Sequence, residues 1–173
     1  MLFRLLVAIA TIFKYKLIIS HIYFCMKTLK ENFTLSNSIG YMVNIVANKM
    51  KLELEYSFEK ENYNITALQW MVLGIIYEND GILQNELVKK SKKDKTNIAR
   101  IINKLEKKSF IRKIKDDIDK RNFRLFITDD GKRVREELVP LAMGVLEKST
   151  TNISEDEQEI CLKVLTKIYS NLD

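Results

Sequence analysis

The stretch Asp94–Gly131, DKTNIARIINKLEKKSFIRKIKDDIDKRNFRLFITDDG, changes its periodicity halfway along. Ile98, Ile101, Ile102 and Leu105 recur at helical spacing, which predicts a helix over 95–108 with Asp94 as its N-cap. After Phe110 the pattern becomes that of strands. Ile111–Lys115 and Phe123–Ile127 are short β-prone runs, and the polar segment 116–122 between them reads as a hairpin tip. On the predicted helix the apolar residues share one face. The opposite face holds Thr96, Arg100, Asn103 and Lys107, flanked by Asn97 and Lys104. Arginine can pair bidentately with guanine, asparagine with adenine, and lysine can reach phosphates, so this face suits a major-groove reader. An ordinary amphipathic helix with a solvated exterior has the same pattern.

Outward from this stretch, the chain reads as mainly helical. Apolar residues at helical spacing span 36–60. Thr66-Ala67-Leu68-Gln69 is a capping-box pattern that opens an apolar helix to about Glu78. Asn79-Asp80-Gly81 is a turn, and a short helix over 83–90 sends Leu87 and Val88 inward. Downstream, Thr128 caps a helix whose first turn holds Asp129 and Asp130, favourable at the positive helix end. That helix runs toward Lys148 and is expected to kink at Pro140, which lacks a backbone donor. Ser154-Glu155-Asp156-Glu157 is a second capping box and opens the last helix. Helix, short helix, helix and hairpin in this order make a winged helix-turn-helix. The fold class is mainly α with a small β-hairpin wing, in one domain over 26–173.

The charge distribution agrees with that reading. The whole chain of 173 residues carries a formal +6. Segment 89–124 holds fifteen Lys or Arg against five Asp or Glu, a net of +10, which leaves −4 for the remainder. So concentrated a basic segment is an electrostatic footprint for a polyanion; a solvated lysine-rich face is the plainer alternative.

Other chemistries lack parts. One His, two widely separated Cys and five Gly give no HExxH, no phosphate loop and no nucleophile elbow, so no enzyme, metal site or cofactor is expected. Asp116 and Asp117 form a carboxylate pair at what reads as a solvent-facing tip, unsuited to pKa tuning. The cysteine spacing indicates a reducing, cytoplasmic setting. Residues 1–25 are apolar but interrupted by Lys14 and Lys16, too broken for a spanning helix. Met26 begins MKTLKENFTLSNSIGYMV, which reads like a cytosolic start, so residues 1–25 are expected to be a mis-assigned upstream extension. A weak membrane anchor and a docked helix are the alternatives.

Taken together, residues 36–172 resemble the MarR family of dimeric winged-helix transcription regulators. The resemblance rests on Leu68-Gln69-Trp70, Asn79-Asp80-Gly81-Ile82, Asp94–Arg100, Leu105–Lys108, the wing motif Asp119-Lys120-Arg121, and Ile127-Thr128-Asp129-Asp130-Gly131. Ser109 and Leu83 depart from the family pattern, where Gly and a capping Ser or Thr are usual. The resemblance implies a DNA-binding lobe over 65–128 and dimerisation helices over 36–60 and 129–172. Thr96, Asn97, Arg100 and Asn103 would contact bases. Arg121 would enter the minor groove, its guanidinium oriented by Asp119. Lys92, Lys93, Lys95, Lys104, Lys120 and Arg124 would contact phosphates. It also implies double-stranded DNA as partner, a homodimer, repression through a pseudo-palindromic operator, and relief by a small-molecule effector. Tyr41, Trp70, Met71 and Tyr77 are candidates for a ligand cavity, with plain core packing as the alternative. A winged-helix module that uses its basic hairpin for an acidic protein partner is the competing function.

Overall fold

The computed structural model describes residues 34–117 and 119–172. Residues 1–25, with His21 and Cys25, lie outside the described residues, as do the expectations placed on them. After a single 3-10 turn at Leu35–Asn37, the elements are α1 (Ile39–Lys60), α2 (Ala67–Glu78), β1 (Ile82–Leu83), α3 (Gln84–Ser91), α4 (Lys95–Lys107), β2 (Ile111–Lys115), β3 (Phe123–Ile127), α5 (Asp129–Ser149) and α6 (Glu155–Ser170). The described residues divide within α1 into two units, with the boundary between Ala47 and Asn48. In the described part of the first unit, Ser38 Oγ accepts from the Tyr41 amide at 3.2 Å, and Ile39, Met42, Val43 and Val46 are exposed.

In the second unit the caps form as the sequence predicts. Thr66 Oγ1 accepts from the Gln69 amide at 3.2 Å while Gln69 Oε1 accepts from the Thr66 amide at 3.3 Å, and Ser154 with Glu157 repeats the arrangement at α6. Asp94 and Thr128 cap α4 and α5 through the amides of Asn97 and Gly131. Each cap satisfies a donor that the first helical turn leaves without a partner. Pro140 does not end α5, which continues to Ser149.

The core gathers Phe58, Val72, Leu73, Ile76, Leu87, Ile98, Ile102, Leu105, Ile111, Leu125, Ile127 and Leu138, all of them buried. The apolar stripe predicted for the reading helix is therefore the face that packs. Two features differ from expectation. Leu83, read as a helix start, and Ile82 before it pair antiparallel with Arg124 and Leu125. The hairpin thus becomes a three-stranded sheet in the order β1-β3-β2. Asp116 is not solvent-facing but only 4% exposed, because its carboxylate turns back into the wing toward Arg124.

Ser109 holds the left-handed conformation, φ 61°, that glycine adopts without strain. The turn keeps its geometry without the glycine, and the Ser109 carbonyl accepts from Thr128 Oγ1 at 2.6 Å. At Leu83, which has no capping oxygen, Glu86 Oε2 accepts from the Leu83 amide at 3.4 Å and takes over part of the cap.

Candidate nucleic-acid interface

Helix α4 presents the predicted polar face. Thr96, Arg100, Asn103 and Lys104 are exposed, and Asn97 is half-buried beside the N-cap. Asn103 Oδ1 accepts from Lys113 Nζ of β2 at 3.3 Å, and Lys113 also pairs with Glu106 at 3.3 Å. These contacts join the reading helix to the wing. The second lone pair of the Asn103 oxygen and its amide group are not taken up by Lys113.

The turn between α3 and α4 supplies Lys92 and Lys93, and the first position of α4 supplies Lys95, all exposed. Lys92 is left-handed, φ 52°, and its amine lies 5.4 Å from the ring centre of Tyr169 on α6. That contact is a cation–π arrangement. Lys89 and Lys90 at the end of α3 and Arg112 and Lys115 on β2 extend the basic surface. They were counted in the basic segment but not singled out, since no motif distinguishes them from its other lysines and arginines.

At the wing tip Arg121 is exposed and Lys120 pairs with Asp117 at 3.2 Å. Asp119 sits in the turn beside Arg121. Its carboxylate accepts from the Arg121 backbone amide at 3.0 Å and from Asn122 Nδ2 at 2.9 Å, so it shapes the turn that carries Arg121. Arg124 is half-buried and pairs within the wing. Its Nε donates to Asp116 Oδ1 at 2.6 Å and its Nη1 to the Gly81 carbonyl at 3.2 Å. Of the six residues expected at phosphates, Lys93, Lys95 and Lys104 are exposed, and Arg124 pairs with Asp116 while its side chain stays 41% exposed. Asp116 and Asn85 were missed by sequence reasoning. Their signal is relational: Asp116 needs a cation across the hairpin, and Asn85 needs Asn122.

Trp70 and Met71 border a cavity of about 580 Å³ together with Met50, Leu54, Arg135 and Met143. Tyr77 does not line it and instead stacks under the Arg135 guanidinium, 4.1 Å from its ring centre. Tyr41 belongs to the other unit, where it is exposed. Among the described residues, Trp70 Nε1 and Arg135 Nε are buried with no hydrogen-bond acceptor. Among the described residues, no helix is long and apolar enough to cross a membrane, and no cluster of three His, Cys, Asp or Glu could hold a metal ion.

A reading helix and a basic three-stranded wing define the class, a winged helix-turn-helix protein. The model of the MarR family matches residues 65–123. The uncharacterised HTH-type transcriptional regulator YybA of Bacillus subtilis is 32% identical over 117 residues, covering 68% of this chain and 78% of the relative. A MarR protein from Peptoclostridium difficile superposes with a TM-score of 0.72 at 26% identity, over 79% of this chain and 88% of that one. A mutant MarR from Escherichia coli complexed with operator DNA shares the fold, with a TM-score of 0.70 at 24% identity, over 75% of this chain and 92% of that one. The chain belongs to the MarR family, and its function class is transcription regulation. The relatives are regulators rather than enzymes.

Proposed function

We propose that this protein is a cytoplasmic, homodimeric repressor that reads a pseudo-palindromic operator and is released from it by a small ligand. The observation that carries the reading is the juxtaposition of the exposed Thr96–Arg100–Asn103 face with Lys93, Lys95 and Lys104 and with the exposed Arg121 of the wing. Thr96, Asn97, Arg100 and Asn103 address base edges, the lysines fix register on phosphates, and Arg121 enters the adjacent minor groove. The competing module with an acidic protein partner needs only the charge. It does not account for a capped helix whose uncharged polar residues share a face with Arg100.

Homodimerisation is supported by apolar exposure. On α6, Ile160, Leu162, Val164, Leu165 and Tyr169 are exposed, and on α1 so are Ile39, Met42, Val43 and Val46. Apolar faces of that extent mark association surfaces. A twofold dimer would set two reading helices about one DNA turn, roughly 34 Å, apart. Ligand relief is supported by the two orphaned donors, Trp70 Nε1 and Arg135 Nε, on residues that border an apolar cavity. Buried donors without acceptors are costly, and a ligand bearing an acceptor would satisfy them.

Footprinting on the gene's own promoter at physiological salt tests the reading. The expected result is a protected pseudo-palindrome. Uniform weak binding to all duplexes would support the acidic-partner module instead.

A further inference from the structure

Resting on the DNA-reading function proposed above, we propose that Asp116 is a positioning residue for Arg121: it holds the wing tip in its DNA-contacting geometry before DNA arrives. The argument starts from an unusual placement. Asp116 is a carboxylate just beyond the end of β2 in a basic hairpin, yet it is almost wholly buried. A buried carboxylate persists only where donors surround it. Here Oδ1 accepts from Arg124 Nε at 2.6 Å and Oδ2 accepts from the Asp119 amide at 3.0 Å. The Asp116 amide donates to the Asn122 carbonyl at 3.0 Å, closing the tip across its base.

The network runs on in both directions. Toward the core, Arg124 Nη1 donates to the Gly81 carbonyl, while the Gly81 amide donates to the Leu125 carbonyl at 2.9 Å. Toward the tip, Asp119 accepts from the Arg121 amide, and the Asn122 amide donates to the Asp119 carbonyl at 2.8 Å. Asn85 Nδ2 of α3 donates to Asn122 Oδ1 at 2.6 Å and gives the tip a second anchor on the helix-turn-helix. Arg121 itself is exposed. Its backbone is therefore held through Asp119 and Asp116 to the turn before α3, and through Asn122 to α3. Loss of Asp116 would unhook the first of these two paths and leave the guanidinium of Arg121 to search for the groove. The cost is one of ordering, which preorganisation avoids.

The test is a double-mutant cycle on the duplex recovered by footprinting, with a random duplex beside it. Asp116→Asn keeps the shape and one acceptor but removes the charge that holds Arg124. The expected loss of affinity for the protected duplex is about tenfold in the native background and less than about twofold in the Arg121→Ala background, because residues that act through one another are not additive. Hydroxyl-radical protection should fade in the minor groove flanking each half-site and persist under the reading helix. Should Asp116→Asn fold poorly, Asn85→Ala removes the second anchor from an exposed position and should show the same non-additivity with Arg121→Ala. Equal losses in both backgrounds, or no loss, would overturn the positioning role. If the native protein protects no site at all, the DNA reading itself fails, and the positioning role falls with it.

Discussion

Gly131 faces the carbonyl oxygen of Phe110 so closely that a Cβ at residue 131 would overlap that oxygen and crowd Ile127. The same carbonyl accepts from the Thr128 amide at 3.1 Å, so it cannot move aside without loss. The first turn of α5 is thereby seated on the link between the reading helix and the wing. Gly131 is required by proximity and not by backbone conformation, since its φ is not positive. Gly131→Ala should lower stability by about 1–3 kcal/mol, the usual cost of overpacking. Urea unfolding checks this, and an unchanged midpoint would contradict the close approach.

Ser109 makes the opposite case. Its left-handed backbone costs a residue with a Cβ roughly 1–2 kcal/mol, of which glycine's greater freedom in the unfolded chain gives back a part. Ser109→Gly should therefore stabilise the protein by about 0.5–1 kcal/mol without altering DNA affinity. Thermal unfolding beside a binding titration measures both. A destabilised variant would mean that the Ser109 side chain contributes more than its backbone strain costs.

If the exposed α4 face reads bases as proposed, substitutions separate base reading from phosphate contact. Arg100→Ala should cost about 1–3 kcal/mol on the operator and relax preference at one base pair, whereas Lys93→Ala should weaken all sequences alike and lower the salt slope by about one. Competition titrations at several salt concentrations distinguish them. Equal losses on operator and random DNA for Arg100→Ala would remove it from the base-reading set.

Leu162 and Leu165 lie exposed on α6. If that face meets a second copy, Leu162→Glu/Leu165→Glu should move the sedimentation-equilibrium mass from dimer to monomer and weaken operator binding steeply, because two half-sites no longer act together. A dimer that survives the double substitution would place the interface elsewhere.

Acid should loosen the start of α6. The amide and hydroxyl of Ser154 donate to Glu157 at 2.8 and 2.9 Å and hold its carboxyl below the ordinary glutamate range. A folded pKa lower than the unfolded one contributes stability that is present above the unfolded value, about 4.3, and lost as pH falls through the lowered one. Protection factors for amide exchange at the α6 N-terminus, taken relative to the intrinsic rate at each pH, should fall as Glu157 becomes protonated in the native protein, and less so in Glu157→Gln, which has no charge to lose. Identical acid profiles would show that the capping carboxylate is irrelevant to the loss.

Much of this architecture was legible because local physics decided it. Asp94, Thr66, Thr128 and Ser154 announce helix starts through short-range hydrogen bonds, and all four caps form. The strand bounds Ile111–Lys115 and Phe123–Ile127 follow from the change of period and agree with the sheet. What stayed hidden depends on partners distant in sequence. Ile82 and Leu83 are a strand only because Leu125 and Arg124 lie beside them, 43 and 41 residues on. The charge of Arg124 is readable in the sequence, whereas the buried Asp116 that pairs with it is revealed only by the folded hairpin. The Arg135 guanidinium over the Tyr77 ring likewise joins residues far apart in sequence.

The central claim, that this helix and wing read a specific DNA site, is tested most directly by genomic selection with the purified protein at physiological salt, followed by footprinting of what is retained. The account predicts enrichment of one pseudo-palindrome, with half-site centres about one helical turn apart and affinity at least about a thousandfold above random duplex. Retention of unrelated sequences with equal affinity, and no protected site, would contradict it.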